Sequence, residues 1–327
     1  MKVGLQITKN TPKYSKLLVE LKKNLQIEDI VDFIHIPDNK SLRNIIPRLD
    51  ILVTYNLSEE LFSFASEKLK WIHFGSAGIE KSLFPSILKS KTIITNASGI
   101  HAGPVSEFAM GMILYLSKHF SACEKFKVDK EWTQWELARK TIQLQGKTAG
   151  IIGFGDIGKA IAKKCKAFDM HVIATRRLQK KVESKKIVDK IIPLADIDYL
   201  YKHADYIIVA CPLTPKTKGM IGKSELEKMK SSAFIINISR GAVLDEPQLV
   251  NALSTGQIAG AGLDVFSIEP LDKSCPLFNL ENVFLSPHIS GNFPEYQKDV
   301  VIQFADNLNR YVKGKTLKNR VCKKRLY

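Results

Sequence analysis

The sequence predicts an α/β protein of two domains, each built on a parallel sheet. Short apolar runs alternate with lysine-bearing segments of helical spacing along most of the chain, the order that a parallel sheet with crossover helices produces. Near the middle, a glycine-rich turn joins one such run to an amphipathic helix. At 327 residues the chain is long enough for two domains with a substantial core.

In chain order, the first apolar runs lie at residues 3–7, 31–36, 51–53, 71–74 and 93–95. The segments between them carry helical spacing, as in Leu17, Leu18, Leu21 and Leu25. This domain has no glycine pattern for phosphate. It does have Gly75-Ser76-Ala77-Gly78 directly after a strand, a loop whose backbone N–H groups suit a carboxylate. A crossover at residues 96–103 leads into a helix whose apolar residues, Val105, Phe108, Ala109, Met112, Ile113 and Leu116, share one face. Pro104 belongs in its first turn. Residues 131–144 carry Trp132 and Trp135 among polar neighbours, placed either to anchor a partner subunit or to pack within the monomer.

The chain is organised around residues 148–177. The run 149–152 ends in Gly153, Gly155 and Gly158. Apolar residues then recur at Ile157, Ala160, Ile161, Cys165 and Phe168, one face of a helix, and a second run follows at 171–175. Strand, tight turn, helix and strand in this order make a dinucleotide site. The glycines let the backbone approach a pyrophosphate, and the helix N-terminus favours its charge. Gly153, Gly155, Asp156, Ile157 and Gly158 are the expected contacts. Units that select NAD carry an acidic residue about 20 residues beyond the glycines; here Thr175, Arg176 and Arg177 stand instead. Guanidinium groups pair with a 2′-phosphate that a carboxylate repels, so NADP(H) is the favoured coenzyme, with NAD(H) left open. Further strands are expected at 206–211, 234–238, 261–264 and 283–286, and a last helix at 292–312.

Composition bounds the rest. A hydrophobic content of 45% with 25% charged residues is that of a globular protein. No apolar run approaches the ~18 residues of a membrane span, and the N-terminal stretch lacks the apolar core of a signal peptide. Cys123, Cys165, Cys211, Cys275 and Cys322 are scattered without a C-x-x-C pair. That predicts neither a metal site nor disulfides, and fits a reducing cytoplasm. The net charge of +16 comes mostly from dispersed lysines without interleaved aromatics, a solvated surface rather than a nucleic-acid footprint. The densest basic stretch, residues 310–327, has eight Lys or Arg and no acid.

Three charged residues follow the ends of predicted strands, where open α/β sheets place their ligands: Arg240, Glu269 and His288. An Arg clamps a carboxylate and polarises a carbonyl. A His passes a proton near neutral pH, and a carboxylate orients it and favours its charged form. With a hydride-carrying coenzyme these groups supply what reduction of a 2-keto acid needs.

Four blocks resemble signatures of the D-isomer-specific 2-hydroxyacid dehydrogenases. They are the stretch from Asn237 through Ile238, Ser239, Arg240 and Gly241 to Glu246, that from Gly260 to Phe266 with Glu269-Pro270, that from Ser286 to Gly291, and Cys211-Pro212-Leu213-Thr214 with Thr217. They stand in the family's order around the glycine turn, and the resemblance extends over essentially the whole chain. It implies two Rossmann-like or flavodoxin-like domains with the active site in the cleft. Residues 1–98 with 290–327 form the substrate-binding domain and 99–289 the dinucleotide-binding domain. By position it implies Arg240 as substrate clamp, His288 as acid/base, Glu269 as its partner, Asp264 near the nicotinamide, and the Ser76, Ala77 and Gly78 backbone at the substrate carboxylate. Cys211, Pro212, Thr217, Ile238, Ser239 and His288 join the coenzyme contacts. Arg176 stands where NAD-preferring members have Asp, a change that accompanies NADP-using glyoxylate and hydroxypyruvate reductases. The expected protein is thus a cytoplasmic homodimer acting on a small 2-keto acid, with no nucleic-acid or membrane partner. An NAD-dependent phosphoglycerate or D-lactate-type dehydrogenase and a dinucleotide-sensing, corepressor-like scaffold are the competing readings.

Overall fold

The structure, a computed structural model, describes residues 1–27 and 31–324. The chain divides into two compact units, Met1–Ile100 with Phe293–Tyr327, and His101–Asn292.

The first unit runs β1 (Lys2–Gln6), α1 (Thr11–Lys23), β2 (Asp32–His35), α2 (Asn39–Ile45), β3 (Ile51–Thr54), α3 (Glu59–Ser63), β4 (Trp71–Phe74), α4 (Pro85–Lys89) and β5 (Ile93–Asn96). The strands form one sheet in the order β2-β1-β3-β4-β5, every pair parallel. Successive side chains alternate faces. In β3, Ile51 and Val53 therefore enter one core with Leu5 and Trp71, while Leu52 enters the other with Ile72 and Ile94. A sheet covered on both faces reads as continuous apolar runs, which is why these strands were legible.

The second unit opens with α5 (Ala102–Ser117), α6 (Phe120–Asp129) and α7 (Gln134–Lys140). It continues through β6 (Thr148–Ile152), α8 (Asp156–Ala167), β7 (His171–Arg176), β8 (Glu183–Lys185), β9 (Val188–Pro193), α9 (Ile197–His203), β10 (Tyr206–Val209), α10 (Lys223–Glu227), β11 (Phe234–Asn237), α11 (Glu246–Ser254), β12 (Gly260–Leu263) and β13 (Val283–Leu285). The sheet order is β13-β12-β11-β10-β6-β7-β9-β8. The chain winds outward from β6 in both directions, so β6 and β10 flank the topological switch point where such sheets hold ligands. Helices α5 and α8 cover one face through Met112, Ile113, Ile161 and Cys165, all almost wholly buried. Truncating a side chain such as Ile161 to Ala would cost about 2–5 kcal/mol.

The chain then returns to the first unit as α12 (Tyr296–Val312), packed on α1, and its tail forms a bridge from Arg320 to Thr95 beside β5. The last residues of the basic stretch 310–327 lie outside the described residues.

The expected α/β architecture with parallel sheets holds, with two differences in detail. The hairpin of β8 and β9 had no counterpart in the sequence reading. β8 sits at the sheet edge, is exposed throughout and pairs antiparallel with β9; edge strands carry charge rather than apolar alternation. The last helix starts at Tyr296, past Pro294, instead of residue 292. Trp132 and Trp135 lie outside the core, 79% and 70% exposed.

Candidate active site

The glycine turn follows from backbone geometry. Gly153, at φ 106°, closes the end of β6, and a Cβ there would lie 2.7 Å from the Ala210 carbonyl oxygen. At Gly158, in the first turn of α8, a Cβ would lie 2.1 Å from the Gly153 carbonyl oxygen, so only glycine lets helix and strand approach this closely. Gly155 caps the helix and faces open space. Among the described residues, the N–H groups of Gly155, Asp156, Ile157 and Gly158 have no hydrogen-bond partner. Orphan donors at the positive end of a 12-residue helix, bordered by glycines that leave the backbone bare, fit a pyrophosphate.

The neighbouring strands place the other expected coenzyme contacts along the same edge. Thr175 is in register with Ile152, is buried, and accepts from Phe154 N–H through its carbonyl at 3.0 Å. Arg176 ends β7 one step farther, alongside the glycine turn, and both it and Arg177 are exposed. On the other side of β6, Cys211 and Pro212 follow β10. Burial pushes the Cys211 thiol up to about 11, which makes it a packing group rather than a nucleophile. Thr217 Oγ1 donates to the Pro212 carbonyl at 2.8 Å and accepts from Thr214 N–H at 2.8 Å, closing that loop.

Arg240, Glu269 and His288 follow β11, β12 and β13, three adjacent strands. The turn after β11 is braced from within. Asn237 Oδ1 accepts from Ser239 N–H and Oγ at 3.1 and 3.0 Å, and its Nδ2 donates to the Arg240 carbonyl at 3.1 Å. Ile238 and Ser239 are buried in this turn. Gly241 presses against the next segment so tightly that a Cβ would lie 1.8 Å from the Phe266 carbonyl carbon. Glu269 bridges two elements: Oε1 accepts from Phe266 N–H at 3.1 Å and Oε2 pairs with His288 Nδ1 at 2.8 Å. Partial burial works to raise the Glu269 carboxyl. The hydrogen bonds from His288 and Phe266, with the positive charges of His288 and Arg240, outweigh it and hold the carboxyl below its ordinary range. With Nδ1 engaged, Nε2 is the ring atom of His288 left for proton transfer.

Asp264 sits beneath this group, fully buried. Its Oδ1 accepts from Ser286 Oγ at 2.7 Å and Ile289 N–H at 2.9 Å, its Oδ2 from Ser290 N–H at 3.0 Å, and its carbonyl from His288 N–H at 2.9 Å. These bonds hold His288 in the left-handed region at φ 53°, a conformation that persists only when its surroundings dictate it.

The sequence reading missed His101. It precedes α5, and its Nδ1 lies 3.1 Å from the Gly291 carbonyl oxygen. Burial lowers its pKa, and the charges of Arg240 and His288 add to that effect, against the hydrogen bond to Gly291. The charged form of its imidazole is therefore disfavoured where it lies within electrostatic reach of Arg240 and His288. The only local signal was its place at the helix start, 190 residues from its partner.

In the first unit, Ser76, Ala77 and Gly78 follow β4. Among the described residues, none of their three N–H groups has a hydrogen-bond partner, so three successive donors are open to an anion.

Residues 110–290 match the family model described as D-isomer specific 2-hydroxyacid dehydrogenase, NAD binding domain. A glyoxylate reductase from Thermococcus litoralis is 36% identical over 283 residues, 85% of this chain and 84% of that one. A D-3-phosphoglycerate dehydrogenase from Archaeoglobus fulgidus is 32% identical over 79% of this chain, which spans 48% of that protein. Among solved structures, an NADPH-dependent glyoxylate/hydroxypyruvate reductase from Sinorhizobium meliloti, in complex with NADP and sulfate, superposes with a TM-score of 0.84 at 23% identity, over 100% of this chain and 99% of that one. At that identity the likeness is one of fold.

Proposed function

The chain belongs to the D-isomer specific 2-hydroxyacid dehydrogenases, NAD(P)-dependent oxidoreductases, and from that premise we propose that it reduces a small 2-keto acid of the glyoxylate or hydroxypyruvate class to the D-2-hydroxy acid, with NADPH preferred. The observation that carries this reading is the Glu269–His288 pair at 2.8 Å, on the same sheet edge as Arg240 and the bare glycine turn.

Gly153, Gly155, Asp156, Ile157, Gly158 and the loops that carry Cys211, Pro212, Thr217, Ile238 and Ser239 would hold the coenzyme, which when bound would supply a hydride for the keto carbon. His288 donates a proton from Nε2 to the keto oxygen, and Glu269 balances the charge of the imidazolium that this requires. Arg240 holds the substrate and polarises its carbonyl. The Ser76, Ala77 and Gly78 N–H groups receive its carboxylate. Asp264 acts by setting the backbone of His288. Residues 1–98 with 290–327 thus bring the carboxylate loop as the substrate-binding domain, and 99–289 the coenzyme contacts together with Arg240, Glu269 and His288.

The NADPH preference rests on Arg176 and Arg177 at the end of β7, where a carboxylate would select NAD. Reading the protein as a cytoplasmic homodimer without a nucleic-acid partner draws on five free cysteines and on the exposed tryptophans of residues 131–144; no helix among the described residues is long and apolar enough to cross a membrane. The A. fulgidus relative keeps an NAD-dependent phosphoglycerate dehydrogenase as the second reading. Absorbance at 340 nm separates them. NADPH consumption with glyoxylate or hydroxypyruvate is expected. NAD⁺ reduction with 3-phosphoglycerate and none of the former would favour the second reading, and no turnover with either coenzyme would leave only a dinucleotide-sensing scaffold.

A further inference from the structure

We infer that Tyr296 is a positioning residue of the substrate site, acting through the Gly75 carbonyl to aim the backbone donors of Ser76, Ala77 and Gly78. The inference rests on the reading of that loop as the carboxylate receptor.

The argument is one of peptide planes. In a trans peptide the C=O of one residue points opposite to the N–H of the next. Fixing a carbonyl therefore aims an N–H. The carbonyls of Gly75, Ser76 and Ala77 belong to the same peptide units as the N–H groups of Ser76, Ala77 and Gly78. Each carbonyl has a donor of its own. The Tyr296 hydroxyl donates to Gly75, Ala97 N–H donates to Ser76 at 3.1 Å, and Asn96 Nδ2 donates to Ala77 at 2.8 Å. The loop is thus pinned along its carbonyl side, and its three N–H groups project from the other side without partners among the described residues.

Tyr296 alone supplies its donor from outside the stretch next to the loop, from the first residue of α12, 221 positions away. The Tyr296 ring stacks on Tyr55 at a centroid separation of 6.4 Å, and the Tyr55 ring in turn fills the space where a Cβ on Gly75 would lie. Burial, with neighbouring Tyr55, pushes the Tyr296 hydroxyl above its ordinary pKa, so it stays protonated and donating through the neutral range. Gly75 has no side chain of its own to restrain its peptide. Without the hydroxyl the Gly75 carbonyl loses the one donor it has among the described residues, and the Ser76 N–H loses its direction.

Tyr296→Phe removes the hydroxyl and keeps the ring. With saturating NADPH or NADH, oxalate titrated calorimetrically against the full chain should bind roughly 10-fold or more weakly in the variant, as expected when a buried acceptor loses its donor. KM for the 2-keto acid should rise in parallel, while kcat falls much less. A role in packing alone would lower the melting temperature and the active fraction but leave oxalate affinity and KM as they were, and that result would overturn the inference. Asn96→Asp, which removes the donor to Ala77, should weaken oxalate in the same way, and it tests the pinning if the first variant does not fold. If both variants bind oxalate like the wild type, the loop is not aimed by these donors, although reductase activity would still uphold the proposed function. A wild type that reduces keto acids yet binds no oxalate would overturn the carboxylate loop itself.

Discussion

Glu269 Oε2 and His288 Nδ1 lie 2.8 Å apart while Glu269 Oε1 is tied to Phe266 N–H, so the carboxylate fixes the imidazole and is itself fixed. Glu269 is held below the ordinary carboxylate range. A depressed carboxyl keeps its pairing above its unfolded value and loses it as pH falls through the depressed one. The acid-side loss of activity should therefore lie below the usual carboxylate range. Glu269→Gln removes the charge that supports the imidazolium. The alkaline fall of the reduction rate should move to lower pH, with modest loss at the optimum. An unmoved profile would break the proposed pairing.

His288→Asn should cost on the order of 10²- to 10⁴-fold in turnover, because it removes the imidazole that the mechanism uses to deliver the proton. Coenzyme affinity, followed by nicotinamide fluorescence, should be largely retained. A fully active variant would end the mechanism.

Arg176→Asp tests coenzyme choice. Loss of a charge-assisted pair together with added repulsion should weaken NADPH by roughly 2–4 kcal/mol, about 30- to 1000-fold, with far less effect on NADH. Equal effects on the two coenzymes would show that Arg176 is merely solvated.

What the sequence made legible follows from the range of the interactions. The glycine turn was readable because turn, helix and strand are contiguous from Thr148 to Arg176. Arg240, Glu269 and His288 were readable as charged residues at strand ends. Their pairing was implied only by the family resemblance and not by spacing, since in the fold it depends on β11, β12 and β13 lying side by side. The resemblance placed Asp264 near the nicotinamide; that both its carboxylate oxygens are engaged by residues 22 to 26 positions later was not legible in the sequence. His101 and Tyr296 escaped notice because each acts on backbone about 200 positions away. Only tertiary packing makes such contacts.

Trp132 and Trp135, with Phe126, which packs edge-on to Trp132 at 5.8 Å, leave aromatic surface exposed on the α6–α7 segment. A two-fold contact through this segment would bury it. Light scattering of the wild type should give a dimer mass at micromolar concentration, and Trp132→Ser with Trp135→Ser should shift it toward monomer. A monomeric wild type would remove the dimer from the proposal.

His73 sets an acid limit on the first unit. It is fully buried, its Nδ1 lies 2.8 Å from Thr95 Oγ1, and Thr95 Oγ1 also accepts from Trp71 Nε1 at 2.8 Å. Its Nε2 is buried without a hydrogen-bond partner, near the rings of Trp71 and Phe304. Burial pushes its pKa from 6.5 down to about 3, since an imidazolium there would have neither water nor a carboxylate. The folded chain thus refuses a proton that the unfolded chain accepts near pH 6.5. Stability should be fully present above that pH and should fall as pH drops from 6.5 toward 3, by up to about 1.4 kcal/mol per pH unit. His73→Gln keeps a polar side chain but does not titrate. It should be less stable than the wild type at pH 7.5, and the gap should close by about 2 kcal/mol by pH 5. Urea unfolding at the two pH values measures this directly. Parallel losses in wild type and variant would place the acid sensitivity elsewhere.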